Sequence, residues 1–180
     1  MAVRRGLNQA FDDYLVLMSQ AGSREAFARL AARWTPKLLA FAARTLGSTE
    51  TARDVVQDTW EAAARGLHRL ADPARFGAWL YAIAGRKCAD ALRRKYRGAR
   101  LETAFHDDAP PAPDPDARLD IAAALKRLPP EQRVAVGLFF GEDMSVAEIA
   151  AATGVPAGTV KSRLFAARRA LRAALEENVS

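Results

Sequence analysis

Two clusters of cationic side chains are the groups in this chain most able to act on a partner. Residues 85–100 carry Arg86, Lys87, Arg93, Arg94, Lys95, Arg97 and Arg100 against a single acid, Asp90. Residues 161–172 carry Lys161, Arg163, Arg168, Arg169 and Arg172 with no acid at all. Between them, residues 102–120 hold Glu102, Asp107, Asp108, Asp114, Asp116 and Asp120 against Arg118 alone. Cations massed in this way neutralise phosphates and release their counterions. Two basic blocks around an acidic spacer therefore fit a polyanion binder with two footprints. The overall balance, 27 Lys and Arg against 21 Asp and Glu, is a weaker pointer than this distribution.

Other chemistries find little support. Two isolated histidines and one cysteine make no metal-ligand set, and no cofactor is expected. No nucleophile–base or carboxylate pair has supporting context, so a non-enzyme is expected. Cys88 has no second cysteine to pair with, which fits a reducing cytoplasm, and its apolar neighbours favour a buried side chain over a redox sensor. No apolar run reaches spanning length and no signal-peptide core opens the chain, so a soluble cytoplasmic protein is expected.

The second cluster lies on a recognisable local design. Ser145-Val146-Ala147-Glu148 matches a capping box, and Val146, Ile149 and Ala150 give the short helix behind it an apolar side. Thr153-Gly154-Val155 then makes a tight turn, and Pro156 suits the start of the next helix. There Val160, Leu164, Ala167 and Leu171 form a buried stripe, while Gly158, Ser162, Phe165 and Arg169 fall opposite. Lys161 and Arg168 occupy one flank, Thr159 and Arg163 the other. A short helix, a glycine turn and a basic second helix make a helix-turn-helix whose second element fits the major groove. Arginine would read guanine edges there, with Lys161 and Thr159 on phosphates. The competing reading is a plain helical hairpin with a solvated basic face.

In the first cluster, Trp79, Arg86 and Arg93 are seven residues apart and share one helical face, with Arg97 close by and Ala82 and Ala89 adjoining. An aromatic ring beside arginines can stack on unpaired bases while the cations hold the backbone. Trp79 at the edge of a core is the alternative. Upstream, Arg53, Asp54, Gln57 and Asp58 lie beside the apolar Val55-Val56, and by themselves describe the solvent side of an amphipathic helix.

The elements that must position these groups are all helices. Apolar residues recur at three- and four-residue intervals in a chain rich in alanine, leucine and arginine. The pattern predicts helices over about 11–20, from Ser23 to Gly47, over 49–67 and over 75–97, which make one four-helix lobe. Pro36 predicts a kink or break in the second of these, Gly47 closes it, and Ser48 caps the third. Residues 99–117, with four prolines between Pro110 and Pro115, read as an extended, flexible acidic linker. The expected organisation is thus all-α in two small domains, 1–98 and 118–180, joined by that linker.

These pieces, in this order, resemble the extracytoplasmic-function (ECF) class of bacterial sigma factors. The resemblance rests on Ala52-Arg53-Asp54-Val55-Val56-Gln57-Asp58-Thr59-Trp60, Phe76-Gly77-Ala78-Trp79-Leu80-Tyr81-Ala82-Ile83-Ala84 and Asp90-Ala91-Leu92-Arg93-Arg94 in the first lobe. In the second it rests on Leu128-Pro129-Pro130-Glu131-Gln132-Arg133 and on the run from Gly154 to Leu164. It implies a sigma domain 2 that docks on the β′ clamp helices of core RNA polymerase through Arg53, Asp54, Gln57 and Asp58. The same domain would open and read the −10 element with Trp79, Arg86, Lys87, Arg93, Arg94, Lys95 and Arg97. A sigma domain 4, near the β flap, would read the −35 element with Thr159, Lys161, Ser162, Arg163, Arg168 and Arg169. An anti-sigma protein is an implied partner, beside polymerase and promoter DNA. Two departures stand out: Gly85-Arg86 occurs where the family often has asparagine, and Phe139-Phe140-Gly141-Glu142-Asp143-Met144 is shifted toward acid. The alternatives are a stand-alone helix-turn-helix regulator and a sigma mimic that sequesters an anti-sigma protein.

Overall fold

The computed structural model describes residues 2–103 and 121–177. Helices α1 (Ala2–Gln20), α2 (Arg24–Leu46), α3 (Thr49–Gly66) and α4 (Phe76–Thr103) form the first lobe. Helices α5 (Ile121–Arg127), α6 (Pro130–Val136), α7 (Val146–Thr153) and α8 (Ala157–Glu177) form the second. Single 3-10 turns at Leu67–Arg69 and Pro73–Arg75 join α3 to α4, and a wide π-type turn, Gly137–Gly141, follows α6.

Local signals account for the helix ends. The Ser23 hydroxyl accepts from the Ala26 N–H at 3.2 Å, and the Ser48 hydroxyl from the Thr51 N–H at 3.3 Å. Between them Gly47, at φ 68°, closes α2 in the left-handed region. Three expectations need correction. First, α1 begins at Ala2 rather than near Phe11. Second, α2 passes Pro36 without a break. Leu30, Trp34, Leu38 and Phe41 are buried on both sides of it, while Pro36 and Ala32 are exposed, so the carbonyl that loses its N–H partner can turn to water. Third, α4 continues to Thr103, past the helix end expected near Arg97. The rest of the proposed linker, 104–117, lies outside the described residues.

The first-lobe core gathers one stripe from each helix. Trp34 meets Phe76 and Tyr81 edge-on, at centroid distances of 5.5 and 6.0 Å. Its indole N–H donates to Asp12, whose carboxylate also holds Arg33 at 2.7 Å. Leu38, Phe41, Leu80, Ala84 and Cys88 have no exposed surface. Burial pushes the Cys88 thiol up to about 12, so it stays protonated and unreactive.

The two lobes share one core. Val134, Leu138, Met144, Ile149, Ala152 and Val160 of the second are continuous with the first-lobe cluster. Glycines bring the backbones together. A Cβ on Gly85 would lie 3.2 Å from Val134, and one on Gly137 would lie 3.1 Å from both Phe41 and Thr45. Arg133, only 5% exposed, stitches the same seam. Its guanidinium donates to the carbonyls of Lys126, Leu128 and Thr45, at the C-terminal ends of α5 and α2 where helix dipoles are negative.

Gly77 gives a test of the core. A Cβ there would sit 2.6 Å from the Trp34 ring, which Asp12, Phe76 and Tyr81 hold in place. Alanine in a helix normally gains about 0.5–1 kcal/mol over glycine, whereas overpacking costs about 1–3 kcal/mol. Gly77→Ala should therefore lower Tm in thermal denaturation; an unchanged or raised Tm would mean that Trp34 is free to move aside.

Candidate nucleic-acid interface

The helix-turn-helix is built as its sequence requires. The Ser145 hydroxyl accepts from the Glu148 N–H at 3.2 Å, and the Ser145 N–H donates to the Glu148 carboxylate at 2.8 Å. The Ser145 hydroxyl also donates to the Glu148 carboxylate at 2.7 Å, and this bond together with the one from the Ser145 N–H holds the Glu148 carboxyl below the usual carboxylate range. Gly154, at φ 70°, turns the chain and donates to the Ala150 carbonyl at 2.9 Å. The Pro156 carbonyl then accepts from the Thr159 and Val160 N–H groups, so the proline precedes α8 and Ala157 opens it.

Ile149 and Ala167 are fully buried between the two helices and Val160 nearly so, which fixes the rotation of α8. Gly158, Lys161, Ser162, Phe165, Arg168 and Arg169 consequently face outward, with Thr159 and Arg163 half-buried at the margin. Among the described residues no ion pair engages Lys161, Arg168 or Arg169. Phe165 is 65% exposed in the middle of this cationic face. Its outward position was legible from the periodicity, but its chemistry was overlooked: an apolar ring there can meet a thymine methyl.

The basic face of α4 is divided between three environments. Arg94, Lys95 and Arg97 are exposed. Lys87 leans to α3 and pairs with Asp58 at 3.6 Å. Arg86 and Arg93 are exposed too, but each bonds to the second lobe. Arg86 donates to the Ala152 carbonyl at 3.2 Å, near the C-terminal end of α7, and Arg93 bridges Asp90 at 2.6 Å and Glu131 at 2.9 Å. Burial works against ionisation of Glu131, but the hydrogen bond and charge of Arg93 leave its carboxyl below the usual range. Ala82 and Ala89, which adjoin this face, are buried at 5% and 6% exposure. A cleft of about 310 Å³ remains between the lobes, bordered by Arg86, Arg93, Glu131 and Arg163. Trp79 is half-buried, tilted against Phe76 and set over Gly66, so in this arrangement it packs rather than standing free.

On α3, Arg53, Asp54 and Gln57 are exposed above the buried Val55 and Val56, with Asp58 beside them at intermediate exposure. The four form one polar strip. Sequence reasoning gave no role to Glu142. Its carboxylate accepts from the Tyr81 phenol and pairs with Arg44, both in the first lobe. The only sequence signal was the acidic departure in residues 139–144.

The capping box makes the recognition unit testable by itself. Ser145→Ala removes the acceptor for the Glu148 N–H and should cost about 1 kcal/mol in urea denaturation. No loss would show that the box contributes nothing to holding α7 under α8.

Comparison with known proteins agrees with this geometry. Residues 30–98 match the family model for sigma-70 region 2, and residues 118–171 that for sigma-70 region 4. The chain is 36% identical over 170 residues to the ECF RNA polymerase sigma factor SigM of Mycobacterium tuberculosis, covering 92% of this chain and 85% of that one. It is 34% identical over 161 residues to the RNA polymerase sigma factor CarQ of Myxococcus xanthus, covering 87% and 92%. Among solved structures, CnrH in complex with the cytosolic domain of CnrY superposes with a TM-score of 0.66 at 34% identity, over 93% of this chain and 98% of that one. RpoE of Bartonella quintana, in complex with the anti-sigma factor NepR, gives 0.62 at 28% identity, over 83% and 96%. Two sigma-70 regions in their proper order, on an all-helical frame with an exposed basic recognition helix, establish that the chain belongs to the ECF RNA polymerase sigma factors.

Proposed function

We propose that this chain binds core RNA polymerase in the bacterial cytoplasm, directs it to promoters with defined −35 and −10 elements, and helps melt the DNA. The observation that carries this reading is the α8 face, where Lys161, Ser162, Arg168 and Arg169 stand outward on a helix-turn-helix within a family of initiation factors. Arg169 and Ser162 would address base edges in the −35 major groove, Lys161 and Arg168 its phosphates, and Thr159 and Arg163 the groove margin. On α4, Arg94, Lys95 and Arg97 would hold the −10 backbone at once. Lys87, Arg86, Arg93 and Trp79 would join them once their present partners are exchanged for nucleic acid. RNA synthesis would belong wholly to the polymerase.

The polymerase contact is assigned to the α3 strip of Arg53, Asp54, Gln57 and Asp58, with the β′ clamp helices as its counterpart and the β flap near the second lobe. An anti-sigma partner is also proposed, because the structural neighbour RpoE was captured with the anti-sigma factor NepR, and CnrH with the cytosolic domain of CnrY. A stand-alone helix-turn-helix regulator would need only the second lobe and would leave the α3 strip without a use.

Asp54 tests the docking strip more cleanly than Asp58, whose charge already engages Lys87. Asp54→Lys should weaken binding to core polymerase on the order of tenfold, or about 1.4 kcal/mol, with an unchanged circular dichroism spectrum. Equal affinity would remove this strip from the interface. Arg169→Ala should reduce −35-dependent run-off transcription by about 1–3 kcal/mol of discrimination. Lys161→Ala should instead weaken binding uniformly and lower the salt slope by about one. Full activity in both variants would move the reading helix elsewhere.

A further inference from the structure

We propose that the outer face of α1 is a docking site for an amphipathic helix of a partner protein, one that carries acidic residues along one edge of its apolar stripe. This site is independent of the promoter function proposed above. α1 is apolar on two opposite sides. Its inner side buries Leu15 and Val16 in the core, where Asp12 holds Arg33 and Trp34. On its outer side Phe11, Tyr14, Leu17 and Met18 stand 41%, 55%, 55% and 37% exposed, with the exposed Ala10 and Ala21 beside them. Spacings of three and four make these side chains neighbours, so they form one continuous stripe. Seven large apolar side chains are exposed among the described residues, and four of them lie here, which marks a patch rather than scatter. A helix that is apolar on both sides is normally covered on both. The family regions give the stripe no role, because the matched residues begin at 30.

The charges beside the stripe identify what covers it. Along one edge, α2 sets Arg29, Arg33 and Lys37 at four-residue intervals, a row about 12 Å long. The Arg33 guanidinium lies 5.1 Å from the centre of the Phe11 ring, which joins row and stripe in one surface. Lys37 holds its ammonium 4.0 Å over the Trp34 ring, and no acid among the described residues pairs with it. Arg29 pairs with Glu25 one turn away, at 63% and 75% exposure, so a partner's carboxylate can replace that contact at little cost. The other edge carries Asp13, four residues before Leu17. Asp13 would stand against an anionic lipid surface, whereas cations along one edge alone suit a helix with acids along one edge. A second copy of this chain fits less well. The four side chains expose on the order of 300 Å². Two such faces would bury about 600 Å² together, half of the roughly 1,200 Å² of a stable interface. An antiparallel pair would also lay one cationic row against the other.

The test uses the full chain and two synthetic helical peptides with leucine at the a and d heptad positions, labelled for fluorescence anisotropy. One peptide carries glutamate along one edge, the other lysine at the same places. The acid-edged peptide should bind, and the lysine-edged one about tenfold more weakly. Leu17→Glu should weaken the acid-edged peptide about tenfold and leave Tm unchanged, since Leu17 is exposed. Tyr14→Gln gives the same readout if Leu17→Glu disturbs the fold. Lys37→Glu should lower affinity for the acid-edged peptide and raise it for the lysine-edged one; an unshifted preference overturns the acidic edge. Equal binding of the two peptides, or none, overturns the proposal. So does binding indifferent to both stripe variants, which would place the peptide on the basic faces of α4 or α8. Sedimentation of the unaltered chain and flotation with phosphatidylglycerol vesicles test the other occupants. The chain should sediment as a monomer and stay off the vesicles. A dimer, or vesicle binding, that Leu17→Glu abolishes gives the face to a second copy or to lipid and overturns the proposal.

Discussion

The close approach of α6 and α7 to α4 is the contact on which the remaining structure depends. It is possible because α4 presents Ala82, Gly85 and Ala89 where the second lobe arrives, leaving room for Val134, Leu138 and Ala152. A lobe of about sixty residues buries too little of its own surface to be very stable alone. Joining the first-lobe core gives it apolar burial worth roughly 25 cal/mol per Å² of surface removed from water. The same helix face carries Arg86 and Arg93, so what joins the lobes also engages part of the surface assigned to DNA. Packing and recognition compete for one side of one helix.

The −35 unit escapes this competition. Its rotation is fixed by Val160 and Ala167 on the inner side, and the opposite face points to solvent whether or not the lobes touch. The α3 strip is likewise set by Val55 and Val56 beneath it and remains open. The molecule therefore leaves the α3 strip and the outer face of α8 open to solvent, while Arg86 and Arg93 of α4 are bonded across the seam.

What could be read in advance follows the range of the interactions. The capping box, the left-handed Gly154 and the alternation along α8 depend on residues within a few positions of one another, and each could be recognised without the fold. The inward faces of α3 and α4 were equally legible, because Ala52, Val55 and Val56, then Phe76, Leu80 and Ala84, repeat at helical spacing. The helix continues through Pro36 because packing on both sides of it outweighs the missing N–H. The roles of Arg86, Arg93, Arg133 and Glu142 were hidden for a different reason. Their partners lie far along the chain: 66 residues separate Arg86 from Ala152, and 98 separate Arg44 from Glu142. Side-chain periodicity carries no trace of such pairings. Trp79 stood between these cases, since its position was clear but its packing on Gly66 was not.

The central claim is that these two lobes act through core polymerase to open a promoter, rather than by binding duplex DNA alone. Permanganate reactivity of unpaired thymines measures that opening directly. The account predicts reactive thymines around the −10 element when the chain and core polymerase are both present, and none with either alone. A specific duplex footprint from the chain alone, with no reactive thymines when polymerase is added, would contradict it.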